Sequence, residues 1–352
     1  MMMISGRLLP SLVAFCLVSA VGVAAETSPR HAPSEAQQKN IERTNRWLAE
    51  FENSRETPKV AVSRPYAEFE RGKYVIISAA SGWDSLYITT SIARYLPADM
   101  TLVVLAQNSS EERNAYQTYR AYLSDSRLKV VNIGTSSGIW TRDSLPIPIW
   151  TDEHSVGLVD ARYFHGNEPD APLAQWFRLP LLRHNYYFEG GNLMNDDAGN
   201  CFIVGKSQTS SISDDVFRSY YGCKQMNRLH QTAGIGHVDE RLKVISRNHI
   251  LTDETQYFAT LRNLGYDVTM LPRPRSPMGT YANALLINGV VFLPTYRETT
   301  DREAQAVYER LGYKVIPVPS SQISSQGKGS VHCITMVYPS VSERDLVAAL
   351  RR

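Results

Sequence analysis

Apolar and polar residues alternate along this chain in blocks whose period changes several times. Short apolar runs at 74–78, 101–106 and 128–133 have the length and β-branched content of strands. Between them, the patterns at 84–96 and 110–124 recur at the helical interval, and Asp84 stands where the first of these helices needs an N-cap. Closer to the start, Ile41, Thr44, Leu48 and Phe51 share one face of the segment from Gln37 to Glu52. That spacing predicts a helix packed on the outside of the main domain.

The second half of the chain repeats itself. Residues 261–272 read LRNLGYDVTMLP and residues 308–319 read YERLGYKVIPVP. Leu264, Gly265, Tyr266, Val268 and Pro272 match Leu311, Gly312, Tyr313, Val315 and Pro319, each 47 positions on. Both copies read as the end of a helix, a glycine C-cap and a strand. Between them, Asn288-Gly289 joins two apolar runs, a strong short-range hairpin signal. One unit is therefore strand, strand, helix, strand, and a period in this range is a signature of repeated architecture. Intervals of the same size link Asp143, Glu189, His237, Asn283 and Cys333, which are 46, 48, 46 and 50 residues apart. Five polar groups at equal places in five successive units are expected to converge on one axis.

The N-terminus changes the picture. Arg7, an apolar run from Leu8 to Val23 and the pair Ala24-Ala25 have the layout of a secretory signal peptide. A membrane anchor competes with that reading, because the run is nearly long enough to span; the small residues at its end and the polar stretch after it favour the signal peptide. The expected organisation is a signal peptide over 1–25, a linker and N-terminal helix over 26–60, and one α/β domain over 61–352. The protein is then expected to be secreted or periplasmic, with no membrane association after cleavage. A formal charge of +2 and the lack of any Lys/Arg run argue against nucleic acid as a partner.

Export leaves three cysteines, Cys201, Cys223 and Cys333. In an oxidising compartment Cys201 and Cys223 are candidates for a disulfide, the alternative being two buried thiols. Cys333 is then odd, either a nucleophile or an inert core cysteine. The Asp and Asn cluster at 195–200 lacks the spacing of a calcium loop and reads as a hairpin turn.

Four short segments carry the candidate chemistry: WTRD at 140–143, FEGGN at 188–192, GHVDE at 236–240 and GKGSVHCIT at 327–335. Singly, each also fits a loop, a turn or a core histidine. Together and in this order they resemble the guanidine-modifying superfamily, and within it the agmatine deiminase and Porphyromonas-type peptidylarginine deiminase family. The likeness runs from Ala67-Glu68-Phe69-Glu70 to Tyr338-Pro339. It implies a five-bladed, pseudo-symmetric α/β propeller of ββαβ units, the pentein fold, and an enzyme with no metal or organic cofactor.

The resemblance also implies roles. A guanidinium is a resonance-stabilised cation and a poor electrophile until its charge is held, a task for two carboxylates that each accept from two N–H groups. Asp143 and Asp239 match the family's gripping aspartates, Cys333 its nucleophile and His237 its general acid. Glu189 matches the acidic residue that orients the histidine or holds a substrate nitrogen. Trp140, Asn283 and Arg142 are candidate substrate-binding residues, Trp140 as a cover for the aliphatic stem of an arginine. If 236–240 is extended, His237 and Asp239 point to one face. By the same alternation His332 points away from Cys333, and a structural role is expected for it.

The chain departs from the family pattern at Leu145 and Pro146, and its catalytic loop reads Gln326-Gly327-Lys328-Gly329-Ser330 rather than an unbroken glycine run. Between Val159 and Asp170 only Arg162 is present, without the arginine pair expected for holding a C-terminal carboxylate. The expected substrate is a peptidylarginine, because an exported enzyme meets peptides; the alternative is agmatine or another small guanidine. A cysteine peptidase built on Cys333 and His237 would leave both aspartates without a task, and a non-catalytic arginine-binding protein would not need the thiol.

Overall fold

The computed structural model of the chain describes residues 31–51, 58–165, 169–276 and 278–340. The expected signal peptide at 1–25 and part of the linker lie outside them. Among the described residues no helix is long and apolar enough to cross a membrane.

The strands form five separate small sheets, which we call blades one to five. Blade four shows the unit in its simplest form. Leu242–Ser246 and His249–Thr252 make an antiparallel hairpin, helix Thr255–Asn263 crosses over, and Asp267–Met270 returns parallel to the second strand. Blade five repeats it with Leu285–Ile287, Val290–Thr295, helix Thr300–Arg310 and Lys314–Pro319. The glycines that end the two helices, Gly265 and Gly312, take φ of 93° and 90°, and Asn288-Gly289 turns the hairpin with both φ positive. Blade two pairs Ile147–Trp150 with Val156–Arg162 and returns in Leu181–Tyr187; blade three uses Met194–Asn195, Asn200–Val204 and Gln225–Leu229. This is the five-bladed ββαβ propeller read from the sequence.

Blade one is built from both ends of the domain. Its strands Gly72–Ser78, Thr101–Ala106 and Leu128–Asn132 run parallel, and Met336–Pro339 adds antiparallel to Gly72–Ser78. The helices between them are Ser85–Tyr95 and Ser109–Tyr119.

Side-chain alternation along these strands closes the ring. Val75 and Ile77 pack with Leu285, Phe292 and Val318 of blade five, whereas Ile76 and Val103 pack with Val156 and Leu158 of blade two. Phe202 faces Leu242 and Ile250 of blade four, while its neighbours Cys201 and Ile203 face Ile149 and Val159 of blade two. A strand buried on both faces has no polar face to show, so these strands read as continuous apolar runs. Cys201 and Cys223 are disulfide-bonded, tying the middle strand of blade three to the approach to its last.

The N-terminal helix, α1 (Glu35–Phe51), lies against strand Leu181–Tyr187 and the short helix Ser207–Ser210. Its buried face carries Ile41, Asn45 and Leu48, so Asn45 takes the place that periodicity gave to Thr44. The Asn45 amide donates to the carbonyls of Tyr187 and Gln208 at 3.0 and 2.7 Å, and its oxygen accepts from Tyr187 N at 2.9 Å. A polar anchor of this kind leaves no apolar period to read. Asp84 also departs from expectation. It stands at the N-cap of Ser85–Tyr95 without capping it; its carboxylate instead accepts from the backbone of Gln322 and Ile323, fixing the chain a few residues ahead of the Gln326–Ser330 loop. In the 195–200 turn, Asp196 accepts from Ala198 N, Asn200 N, the Asn200 amide and the Tyr266 hydroxyl, which makes it a hairpin-turn residue.

Candidate active site

Each of the five residues spaced at near-equal intervals sits just before a strand that opens or closes a blade. Asp143 lies in the helical turn Thr141–Ser144 ahead of blade two, and Glu189 leads the turn Gly190–Asn192 ahead of blade three. His237 precedes the turn Val238–Glu240 of blade four, Asn283 precedes blade five, and Cys333 precedes the closing strand of blade one. Entry points of five blades around one axis meet at its centre, and all five residues are buried.

Asp239 joins them by a route other than the one expected. Residues 238–240 form a 3-10 turn rather than extended chain. Glu240 fixes that turn by accepting from the backbone N–H groups of Gly236 and His237. His237 and Asp239 nevertheless converge around Gly191: a Cβ there would lie 2.7 Å from His237 Nδ1, 2.7 Å from Asp143 Oδ1 and 3.2 Å from an Asp239 oxygen. Gly191 N also donates to Asp143 Oδ1 at 2.9 Å. Gly191→Ala is therefore expected to remove activity while the ring stays folded, because the methyl displaces His237, Asp143 and Asp239 rather than core. Parallel measurement of ammonia release and thermal unfolding checks this; full activity in the variant would mean the three groups do not work at the distances seen.

Cys333 Sγ lies 3.7 Å from Asp239 Oδ2 and 3.4 Å from Asn283 Oδ1. The Asn283 amide donates to Asp239 O and its oxygen faces Cys333 N, so Asn283 braces Cys333 and Asp239. His237 Nε2 is 2.7 Å from Glu189 Oε2, which also meets Lys206 Nζ at 3.2 Å. His237 Nδ1 and Asp239 Oδ1 are buried without a hydrogen-bond partner among the described residues. A buried polar atom left unpaired costs about 1–3 kcal/mol; His237 Nδ1 has Asp143 Oδ1 at 3.4 Å as an ion-pair contact, and Asp239 Oδ1 belongs to the carboxylate whose other oxygen meets the thiol.

Electrostatics separates the roles. Burial pushes the Cys333 thiol well above its ordinary pKa, and the carboxylates of Asp239 and Asp143 push it further, so the free site holds a thiol. Burial and the Lys206 ammonium pull His237 down, but Asp143 and Glu189 outweigh them and its pKa is raised. Burial opposes ionisation of Glu189, yet Lys206 and His237 hold it below the usual carboxylate range. Asp239 is also lowered despite burial, through its hydrogen bond with His332.

That last contact belongs to a second layer that sequence reasoning missed. His332 Nδ1 is 2.6 Å from Asp239 Oδ2, and its Nε2 is 2.7 Å from Glu68 Oε1. Glu68 in turn pairs with Arg142 Nη1 at 2.7 Å and Lys243 Nζ at 3.1 Å. His332 and Cys333 sit in a turn rather than an extended run, so the alternation that set them on opposite sides does not apply: both reach Asp239 Oδ2, and His332 holds that carboxylate in place. Arg142, expected to bind substrate, points the other way: besides Glu68 it donates Nε to Thr335 O and its backbone N to Cys333 O. It locks the entries of blades one and two together. The one available signal was Glu68 within the Ala67–Glu70 segment, which carried no chemistry of its own.

Trp140 is buried, but what covers its face is the ring of His31, at 3.8 Å between centroids and 8° between planes. His31 Nε2 lies 2.7 Å from Asp143 Oδ2. A Cβ on Gly329 would come 2.5 Å from Trp140 and 2.7 Å from His31, and one on Gly327 2.7 Å from Trp83, so this loop needs its glycines to close over the stacked rings. His31, Asp143 and His237 also bring three metal-ligand-type atoms within 4.8 Å of one another.

Comparison with known proteins gives the chain a family. The family model for Porphyromonas-type peptidyl-arginine deiminase matches residues 78–339. The chain is 24% identical over 367 residues to an agmatine deiminase of Pseudomonas aeruginosa, covering 84% of this chain and 95% of that protein. It is 31% identical over 330 residues to the agmatine deiminase of Pseudomonas putida, covering 73% and 87%. Among solved structures, a substrate-bound agmatine deiminase from C. jejuni superposes with a TM-score of 0.68 at 16% identity, covering 79% of this chain and 96% of that one. A putative arginine deiminase from Porphyromonas gingivalis gives 0.65 at 19% identity, covering 78% and 98%. The structural likenesses speak for the fold, and the sequence matches for the family. The chain belongs to the Porphyromonas-type peptidyl-arginine deiminase family, hydrolases of the carbon–nitrogen bonds of linear amidines.

Proposed function

We propose that the protein deiminates a small guanidine of the agmatine type through a covalent adduct on Cys333. The observation that carries this reading is the buried Asp239 carboxylate in contact with one thiol, its Oδ1 without a hydrogen-bond partner among the described residues, with the Asp143 carboxylate near enough to act on the same thiol. Two carboxylates accepting from a guanidinium offset its charge, and the cation in turn offsets the two charges that raise the Cys333 pKa. Substrate binding thus favours the thiolate it needs. The thiolate attacks the guanidinium carbon, the imidazolium of His237 protonates one nitrogen, and ammonia leaves. Neutral His237 then takes a proton from water, whose oxygen adds to the same carbon; the C–S bond breaks and a ureido product departs with the thiol restored. No step calls on a metal or organic cofactor.

The agmatine deiminases among the relatives support a small guanidine over the peptidylarginine that the leader-like segment suggests. Ammonia release from agmatine, free arginine and arginyl peptides compares the two directly. Agmatine is expected to give the highest kcat/KM, and a preference for peptide would reverse the assignment. Deimination without backbone cleavage separates both from a peptidase. Export remains part of the proposal, and the Cys201–Cys223 disulfide supports it, since such bonds persist in oxidising compartments.

The pH profile tests the general acid. His237 must be protonated when ammonia leaves, so activity is present below its raised pKa and lost as pH rises through it. Glu189→Gln removes a carboxylate that raises that pKa and leaves the Lys206 charge, which lowers it, uncompensated. The alkaline limb of kcat is expected to move to lower pH; a limb that stays in place would assign it to another group.

A further inference from the structure

His31 has no role in the chemistry above, yet it stands inside the site. It is 2% exposed. Nε2 lies 2.7 Å from Asp143 Oδ2 and Nδ1 lies 3.0 Å from Lys328 O, while the ring lies flat on Trp140 and edge-on to His237 at 5.8 Å. Both ring nitrogens face oxygen acceptors, an arrangement that two N–H donors satisfy. A guanidinium offers the same thing, a flat N–C–N unit with N–H groups on its edge. Asp143, one of the two carboxylates assigned to the substrate, is thereby already engaged.

The segment that delivers the ring is anchored independently of the site. Helix α1 begins at Glu35 and is fixed to blade two by Asn45, with Ile41 and Leu48 buried beneath it. A ligand tethered a few residues from a fixed helix competes at a high effective concentration.

We propose that His31 is an intramolecular ligand of the guanidinium pocket, a pseudosubstrate that must withdraw before a guanidine binds. This deepens the deiminase reading and rests on it for the meaning of the pocket. The apparent affinity for substrate is then reduced by the fraction of molecules in which the ring is seated. One buried hydrogen bond to a carboxylate is enough for a factor of about ten or more.

The test uses His31→Ala in the full chain and two readouts. The apparent KM for agmatine is expected to fall about tenfold or more with kcat unchanged, and iodoacetamide is expected to alkylate Cys333 faster by a comparable factor. Free 4-methylimidazole should refill the vacated slot, inhibiting His31→Ala competitively and slowing its alkylation, and act far more weakly on the unaltered chain. That rescue also reports that the variant's pocket is folded. Unchanged KM and alkylation would overturn the proposal, as would a lower kcat with unchanged alkylation, which would make His31 a participant in turnover. Activation of the unaltered chain by EDTA, with His31→Ala insensitive, would overturn it too, by showing that His31, Asp143 and His237 hold a metal ion. If neither form released ammonia from any guanidine, the functional reading would fail, while the alkylation rates would still decide whether His31 occludes the thiol.

Discussion

Cys333→Ser is expected to lower ammonia release by on the order of 10⁴-fold or more, the scale seen when an activated nucleophile is removed from a site that otherwise stays intact. The substitution changes one buried atom that is 3.4 Å from Asn283 and 3.7 Å from Asp239, contacts a hydroxyl can keep, so the melting temperature should hold. A serine hydroxyl ionises far above the range in which a bound guanidinium could draw it to the alkoxide, and His237 is already engaged as the acid. Mass spectrometry of the quenched reaction adds a second check, with a covalent adduct on the unaltered chain and none on the variant. Activity within about tenfold of the original would move the nucleophile elsewhere and with it the mechanism.

Asp239→Asn should cost less, and by a different route. It removes one of the two charges that hold the guanidinium and leaves His332 facing an amide in a buried network with Glu68, Arg142 and Lys243. Truncating one partner of a buried, hydrogen-bonded charge pair costs about 2–5 kcal/mol, or roughly 30- to 5,000-fold in kcat/KM. The same substitution removes a carboxylate that raises the Cys333 pKa. Alkylation of the free enzyme at fixed pH should therefore speed up while catalysis collapses. Opposite movement of the two rates is the distinguishing result, since a merely damaged site would lose activity without gaining a more readily ionised thiol.

The parts of this architecture that could be read from sequence are those governed by local period. Leu264–Tyr266 and Leu311–Tyr313 repeat because two helices end and two strands begin in the same way, and that repeat places Asp143, Glu189, His237, Asn283 and Cys333 at matching entry points. The disulfide was legible as one of two pairing states of Cys201 and Cys223, and the bonded state is present. What escaped was set by distance or by turns too short to have a period. Residues 238–240 form a single 3-10 turn, which alternation misreads as extended chain. Glu68 and His332 meet across 264 residues, a pairing no window can contain. Arg142 is a neighbour of Asp143 in sequence, but the turn between them sends one side chain to the axis and the other to Glu68. His31 read as linker because its place depends on where α1 docks.

Blade one, whose last strand comes from the far end of the domain, has a consequence for biosynthesis. Cys333 lies three residues before Met336–Pro339, and among the described residues that strand pairs only with Gly72–Ser78, some 260 residues earlier. The other four blades take their hairpin and returning strands from single stretches of chain, whereas Cys333 is carried to the axis by a strand that pairs with the first sheet. On the mechanism proposed above, a chain that has not yet delivered Met336–Pro339 has no nucleophile in place, and a chain truncated ahead of that strand is expected to release no ammonia.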